Sequence, residues 1–109
     1  MAEPTLVQVF GENASQTSTT ITITKADLTG LTASANNTAE SLLVAINLKA
    51  KEYLTQTNFD ANIDQSIVVA DGFSSLTTRG TNNTPYRTDQ ITVSFSKVDS
   101  NATIDPDDY

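Results

Sequence analysis

The sequence predicts an α+β fold in which one mostly antiparallel β-sheet carries a single long amphipathic helix on one face. Alternating apolar and hydroxyl residues predict strands at 19–25 and 91–98, and apolar residues at helical spacing predict a helix at about 37–55. With 109 residues, the chain has the length of one domain. We expect that domain at 1–98, with extended termini and an acidic C-terminal arm at 99–109.

Two short strands are expected near the N-terminus. The segment TLVQVF at 5–10 places successive side chains on opposite faces and ends before Gly11. The segment 19–25 alternates Ile21 and Ile23 with threonines, which is typical of a half-buried antiparallel strand. The two strands are expected to form a hairpin, or to lie side by side with a mobile loop between them.

A loop and then the long helix follow. Residues 26–36 contain few large apolar side chains, and Asn37 and Glu40 have the spacing of a capping box. Lys49 and Lys51 lie in the C-terminal half of the helix, where the helix dipole favours cations. The apolar residues that predict the buried stripe, at intervals of three and four, are Leu42, Leu43, Ile46, Ala50, Tyr53 and Leu54.

A polar connector and short strands are predicted after the helix. Residues 55–64 are mostly polar, and SIVVA at 66–70 is an apolar run of strand length. The Asp-Gly pair at 71–72 indicates a turn, after which Phe73 and Leu76 extend a second short strand.

A long loop and a final strand complete the expected domain. Residues 79–90 contain no large aliphatic side chain, and loops of such length tend to be functional or disordered. In the strand at 91–98 we expect Ile91, Val93 and Phe95 to face the core. The tail beyond is acidic and contains a proline, so we expect a mobile or docking arm.

These elements predict a thin core. A domain of this size buries about two-thirds of the surface of its unfolded chain. One helical stripe and a few half-apolar strands leave a sheet face or free strand edges exposed. Because such edges are commonly paired or covered, we expect the chain to assemble with other proteins.

Composition argues against an enzyme. The chain has no histidine, cysteine or tryptophan, so the usual proton shuttle, thiol nucleophile and soft metal ligands are missing. The four glycines form no phosphate-binding loop, and Lys25 or Lys97 as a base for a serine has no supporting motif. We therefore expect no catalytic residues, no cofactor and no metal site.

Charge excludes two classes of partner. The net charge is −7, the pI is about 4.1, and lysine and arginine form no cluster. Nucleic acid and anionic membrane surfaces are bound through such clusters, so neither is expected as a partner. No stretch reaches the roughly 20 apolar residues of a membrane span.

Two acidic segments are candidate cation sites. Asp60, Asn62 and Asp64 resemble the start of an EF-hand calcium loop, but Gln65 stands where that loop needs glycine, so a solvated loop is the preferred interpretation. Whether either segment binds a cation stays open. The tail carboxylates, for which solubility or contact with a basic partner is preferred over acid–base chemistry, are Asp105, Asp107 and Asp108.

Candidate interface residues lie in the N-terminal segment, the 79–87 loop and the tail. Tyrosine and arginine often anchor protein interfaces, although solvated arginines in a flexible loop are an equal alternative for residues 79–87. The candidates are Leu6, Val7, Val9, Phe10, Arg79, Tyr86, Arg87, Asp105, Asp107, Asp108 and Tyr109.

The Thr-rich segments TTITIT and ITVSFS, the Asn- and Thr-rich loops and the acidic charge resemble small structural proteins of tailed bacteriophage particles. Within that class the chain is most similar to capsid cement, or decoration, proteins. The resemblance is compositional and covers the whole chain loosely. It implies assembly in the host cytoplasm and a place on the outer capsid, often as a homotrimer, where terminal arms clamp neighbouring major capsid subunits.

Two other classes stay open. A tail, neck or baseplate component of a virion has the same composition, and assembly into a ring or tube would distinguish it. A bacterial protein-binding or adhesin-like module is expected to carry an export signal or a larger parent chain, and residues 1–11 do not resemble a signal peptide.

Overall fold

The computed structural model describes residues 2–99 and 103–109 and confirms the α+β class. The single sheet was a wrong prediction: the described residues form two separate antiparallel sheets of two strands each. Short 3-10 turns cover Lys25–Asp27 and Pro106–Asp108. The helices are α1 (Leu6–Phe10), α2 (Ala39–Tyr53) and α3 (Gln56–Ala61), and the strands are β1 (Ser15–Gln16), β2 (Ile21–Thr22), β3 (Ile67–Arg79) and β4 (Thr84–Phe95).

The segment at 5–10, predicted as a strand, is helix α1. Thr5 Oγ1 accepts a hydrogen bond from Gln8 N at 3.2 Å, and Gln8 Oε1 accepts one from Thr5 N at 2.9 Å. This capping box satisfies two donors that a helix start leaves unpaired. Alternation over so few residues fits a helical turn as well as a strand, and here the cap favours the helix.

The predicted pairing of 5–10 with 19–25 is replaced by a small hairpin. Strand β1 pairs with β2 through Ser15 with Thr22 and Gln16 with Ile21, and the Ile21 side chain is exposed. The alternation at 19–25 therefore does not mark a core strand.

Gly11 permits close packing where α1 ends. Its φ is +119°, and a Cβ on it would lie 2.7 Å from Cβ of Asp27. Asp27 in turn accepts hydrogen bonds from the backbone and side-chain amides of Asn13, at 2.9 to 3.1 Å. This position requires glycine because any side chain would displace the carboxylate from its partners.

The long helix is present as α2, and its cap differs from the prediction. Thr38 is the N-cap, and its Oγ1 accepts from Ser41 N at 3.0 Å. Asn37 instead accepts from Ser34 N and donates to the carbonyl oxygen of Thr32, which orders the preceding loop. The loop predicted at 26–36 otherwise holds, apart from the 3-10 turn at its start.

Helix α3 was missed. It lies within the segment 55–64, which was predicted as a polar connector, and it begins after Thr55, whose Oγ1 accepts from Asn58 N at 3.1 Å. A helix this short has too few positions to show an apolar period.

The largest departure is a long β-ribbon formed by β3 and β4. Its ladder runs from the pair Ile67 and Phe95 to the pair Arg79 and Thr84. The turn predicted at 71–72, the separate strand around Phe73 and the loop predicted at 79–90 were therefore wrong. The final strand, predicted to reach residue 98, ends at Phe95.

The Asp-Gly pair marks a β-bulge. The register shifts between Asp71 and Ser74, so that Gly72 and Phe73 together oppose Gln90. A Cβ on Gly72 would lie 2.9 Å from Cβ of Gln90 and 3.2 Å from its carbonyl oxygen. Glycine is required here by close approach, and strand β3 continues through the site where a turn was expected.

Register assigns the ribbon residues to two faces, because directly opposed residues share a face and neighbours alternate. The helix-side face, whose base lies beside α2, carries Ile67, Val69, Asp71, Ser74, Leu76 and Thr78 of β3 and Pro85, Arg87, Asp89, Ile91, Val93 and Phe95 of β4. The hydroxyl face carries Val68, Ala70, Ser75, Thr77 and Arg79 of β3 and Thr84, Tyr86, Thr88, Gln90, Thr92 and Ser94 of β4.

The core is thin, as expected. In the described ranges the buried apolar residues are Leu28, Ala45, Leu54, Val68 and Val69. Of the residues predicted to face it, Leu43, Val93 and Phe95 are exposed. None of the helices described here is long and apolar enough to cross a membrane.

Candidate functional site

The chain exposes much more surface than a compact protein of its mass. Its accessible surface is 8194 Å², whereas a compact monomer of 11.7 kDa exposes about 5,900 Å². The radius of gyration is 16.6 Å, against about 13 Å for a compact domain of this length. The excess of about 2,300 Å² is surface that a compact domain would bury.

Much of this surface belongs to the distal part of the β-ribbon. All residues from Phe73 to Gln90 are exposed, and we call this segment, 73–90, the ribbon arm. The side chains of Phe73 and Leu76 are 86% and 79% exposed. Because a two-stranded ribbon alone is marginally stable in water, an arm of this length gains from contact with another surface.

The tip of the ribbon arm is closed by a turn and a stacked pair. Gly80 and Asn83 adopt φ of +82° and +51° in the turn, a region that glycine and asparagine tolerate. The guanidinium carbon of Arg79 lies 5.0 Å from the centroid of the Tyr86 ring. The two side chains share the hydroxyl face and form a cation–π contact there.

Arg87, the third candidate from this segment, lies on the other face of the arm. Its Nε donates to Asp89 Oδ1 at 2.9 Å, and Ser74 Oγ donates to the same oxygen at 2.8 Å. The Ser74 hydroxyl first, and then Arg87, hold the pKa of Asp89 below its usual value. The sequence grouped Arg79, Tyr86 and Arg87 in one loop, whereas the structure divides them between two faces.

An apolar groove lies between α2 and the base of β4. We call this 510 Å³ space the α2–β4 groove. Its walls are Val44 and Leu48 from the helix and Ile91 and Val93 from the strand, with Asn47 and Asp89 as polar lining residues. Val44, Leu48 and Val93 are 56%, 40% and 42% exposed, so these apolar walls face solvent.

The C-terminal candidates fold back on the ribbon base. The ring of Tyr109 lies 5.6 Å from that of Phe95, tilted by 54°. Lys97 Nζ lies 2.7 Å from Asp108 Oδ2 and 5.8 Å from the Tyr109 ring centroid. The hydrogen bond to Asp108 raises the pKa of Lys97. Tyr109 and Asp108 therefore hold residues 103–109 against the domain, while 100–102 of the predicted arm lie outside the described residues.

The other two tail carboxylates stay at the surface. Asp105 Oδ1 accepts from Asp107 N at 3.0 Å at the start of the last 3-10 turn. Both residues are exposed.

The N-terminal candidates take part in packing within the chain. Helix α1 packs against α2, with Leu6, Val9 and Phe10 partly buried and Val7 46% exposed. Because the segment is a helix, it offers no strand edge to a partner.

The segment 60–64 uses its polar side chains locally. Asp60 accepts from Gln56 Nε2 at 2.9 Å, and Asn62 Oδ1 accepts from Asp64 N at 3.0 Å. Asn62 Nδ2 donates to the carbonyl oxygen of Ala2 at 2.9 Å. Across the described part of the chain, no three or more acidic side chains are grouped to hold a metal ion.

The sequence analysis named Ile91 and Val93 as inward-facing strand residues but missed the two groove walls on the helix and the role of Gln65. Val44 and Leu48 are spaced by four residues just outside the predicted stripe, and this second apolar stripe was the available signal. Gln65 is 2% exposed, and its Nε2 donates to the carbonyl oxygens of Thr55 and Ile67 at 3.1 and 2.8 Å. It ties the start of α3 to the start of β3.

Compared with known protein families, characterised proteins and solved structures, the chain matches none.

Proposed function

We propose that this chain is a non-enzymatic structural protein of a virus particle, which binds the assembled lattice of the major capsid protein and stabilises it as a decoration protein does. The observation that carries the proposal is the ribbon arm at 73–90, which is exposed along its whole length in a chain whose accessible surface exceeds that of a compact protein by about 2,300 Å². A surface of this size is suited to contact with other proteins, not to enclosing a small substrate.

The hydroxyl face of the ribbon arm supplies the chemistry for such a contact. Its side chains are hydroxyls and one amide, apart from Phe73 in the bulge and the stacked Arg79 and Tyr86 at the tip. Tyrosine and arginine are enriched where protein interfaces are buried, and hydroxyls make adaptable hydrogen bonds around them. The expected contact is therefore polar and of modest strength for each copy.

Modest contacts suffice on a repeating lattice. A molecule that touches two or more neighbouring subunits makes its second contact within the same complex, so the combined affinity greatly exceeds that of either contact alone. The exposed carboxylates of Asp105 and Asp107 and the net charge of −7 fit a basic patch on the lattice.

A tail, neck or baseplate protein is the second candidate. The length of the ribbon arm favours it as well, because β3 and β4 extend for 13 and 12 residues, long enough to reach a neighbour in a ring. Assembly of the purified chain into rings or tubes without capsids would favour this alternative.

The test is binding to capsids of the phage that encodes the chain, assembled without it. Wild-type protein should saturate the particles at a fixed copy number and raise the temperature at which they open. Tyr86→Ala should lower occupancy at subsaturating protein, whereas Ile63→Ala, a change at a 93% exposed apolar residue outside the arm, should not. Absence of wild-type binding, or equal loss in both variants, would refute the proposal.

A further inference from the structure

We propose that the α2–β4 groove binds the ribbon arm of a second copy of this chain, with Leu76 of one copy seated against Val44 and Val93 of the other. This inference goes beyond the proposed function, because it describes how copies of the chain associate with each other whatever larger surface they bind.

The arm cannot reach the groove of its own chain. Leu76 pairs with Arg87, four residues along β4 from Ile91, a separation of about 14 Å on a regular strand. Strand β4 is continuous between Arg87 and Ile91, so the ribbon arm does not fold back onto the groove of its own chain. Leu76 and the groove residues Ile91 and Val93 nevertheless share the helix-side face, which lets a neighbouring copy lay its arm along the same face.

The α2–β4 groove and the helix-side face of the ribbon arm both expose aliphatic side chains. The groove walls are aliphatic, and on the helix-side face the arm offers Leu76, a large apolar side chain that is 79% exposed in the single chain. Burial of exposed aliphatic surface is the main favourable term in protein association. Since each copy carries one arm and one groove, a second copy supplies both halves of the contact, and the assembly closes as a pair or a small ring.

The edges of the ribbon are protected, which favours contact through its face. The bulge at 72–73 interrupts β3, and Pro85 on β4 offers no N–H to an incoming strand. The bulge and the proline both hinder pairing of strand edges between copies. Neither the bulge nor the proline blocks access to the helix-side face.

The available area is sufficient. A standard protein interface buries about 800 Å² on each partner, and obligate interfaces bury about 1,000 to 2,500 Å² on each. The excess exposed surface of about 2,300 Å² per copy covers such a contact and leaves the hydroxyl face for a different partner.

The experiment is sedimentation velocity of the purified full chain over a range of roughly 1 to 200 μM, the range in which weak to moderate association is measured. Wild-type protein should form oligomers. Leu76→Asp should raise the dissociation constant by about 30-fold or more, as expected for loss of a central apolar anchor. The matched control is Thr77→Asp, which places the same charge one residue away on the hydroxyl face and should leave the constant within about threefold of wild type.

A second pair of variants tests the arm-in-groove geometry. Val44→Asp should disrupt the groove as Leu76→Asp disrupts the arm, while circular dichroism shows both proteins folded. A mixture of the two variants retains one intact contact, between the Val44→Asp arm and the Leu76→Asp groove. The mixed complex should therefore be tighter than the association of either variant with itself.

Four results would overturn the inference: a monomeric wild type throughout the range, equal weakening by Thr77→Asp and Leu76→Asp, unchanged association of Leu76→Asp, or no gain on mixing. None involves capsids, so failure here is distinct from failure of the proposed function. Salt provides a further distinction: with a net charge of −7 on every copy, self-association should strengthen with added salt, whereas contact with a basic lattice should weaken.

Discussion

Replacement of Gly72 by alanine tests whether the bulge depends on close approach of the two strands. The new Cβ would lie 2.9 Å from Cβ of Gln90, 3.2 Å from its carbonyl oxygen and 3.4 Å from its carbonyl carbon. Carbon atoms pack at about 3.5 to 4.0 Å, so the strands would have to separate by several tenths of an ångström. Overpacking of this kind costs about 1 to 3 kcal/mol.

The assay is urea and thermal unfolding followed by circular dichroism. A loss of about 2 kcal/mol corresponds to a fall in Tm of about 10 °C for a domain of this length. Because the backbone φ of Gly72 lies outside the left-handed range, the loss is steric, and removal of the opposing Cβ should reduce it. In a Gln90→Gly background, Gly72→Ala should therefore cost less by about 1 kcal/mol.

Gly80→Ala is the matched control for backbone conformation. Gly80 has φ of +82° and no atom within 4 Å of a built Cβ, so its cost should be the same with Gln90 or with glycine at position 90. A neutral Gly72→Ala, or a cost that does not depend on the residue at position 90, would contradict close approach of the two strands at the bulge.

Three further predictions concern single contacts. Ser74→Ala should raise the pKa of Asp89 toward its usual value in an NMR titration. In the wild type, the stabilisation from ionised Asp89 is present above the pKa of this residue in the unfolded chain and is lost as pH falls through its lowered pKa in the folded chain. For Lys97 the sign is opposite, because its pKa is raised. The stabilisation from its contact with Asp108 is fully present below the pKa of lysine in the unfolded chain and is lost as pH rises through the pKa of Lys97 in the folded chain. Asp108→Asn should therefore lower the pKa of Lys97 in an NMR titration and remove this dependence of stability on pH. Gln65→Met removes two hydrogen bonds to backbone carbonyls and also a buried Oε1 that has no partner, and these two effects on stability oppose each other. Urea unfolding should show a net loss of about 1 kcal/mol. A gain in stability would contradict the role of Gln65 in tying the start of α3 to the start of β3.

Local sequence determined the long helix. Apolar residues at intervals of three and four between Ala39 and Tyr53 suffice to indicate a helix, and the cap residue Thr38 lies within one position of the predicted one. The apolar run at 66–70 and the alternating segment at 91–98 were likewise predicted as strands, and they fall on the start of β3 and the end of β4. These signals are complete within each segment, because helix period and β-branched runs need no distant partner.

The N-terminal helix shows where local signals compete. The sequence contains both an alternation at 5–10 and the Thr5–Gln8 capping spacing, and six residues are too few for the period to distinguish a strand from a helix. The hydrogen bonds of the cap, together with packing against α2, favour the helix.

The ribbon arm and the groove required the tertiary structure. Residues 79–90 have the polar composition of a loop, but 84–89 belong to β4 because they pair with 74–79 in the ladder whose base contains the buried Val68 and Val69. Strand preference depends on cross-strand neighbours, so composition could not predict it. The sequence identified Arg79 and Tyr86 as surface candidates, but it could not show that Leu76 is exposed.

The sequence by itself determined the α+β class, the charge and the absence of the usual catalytic side chains. The tertiary structure alone decided which apolar residues the core leaves uncovered, because exposure depends on what packs against a side chain and not on its identity. The surface in excess of a compact fold, and with it the interaction surface proposed here, follows from that packing.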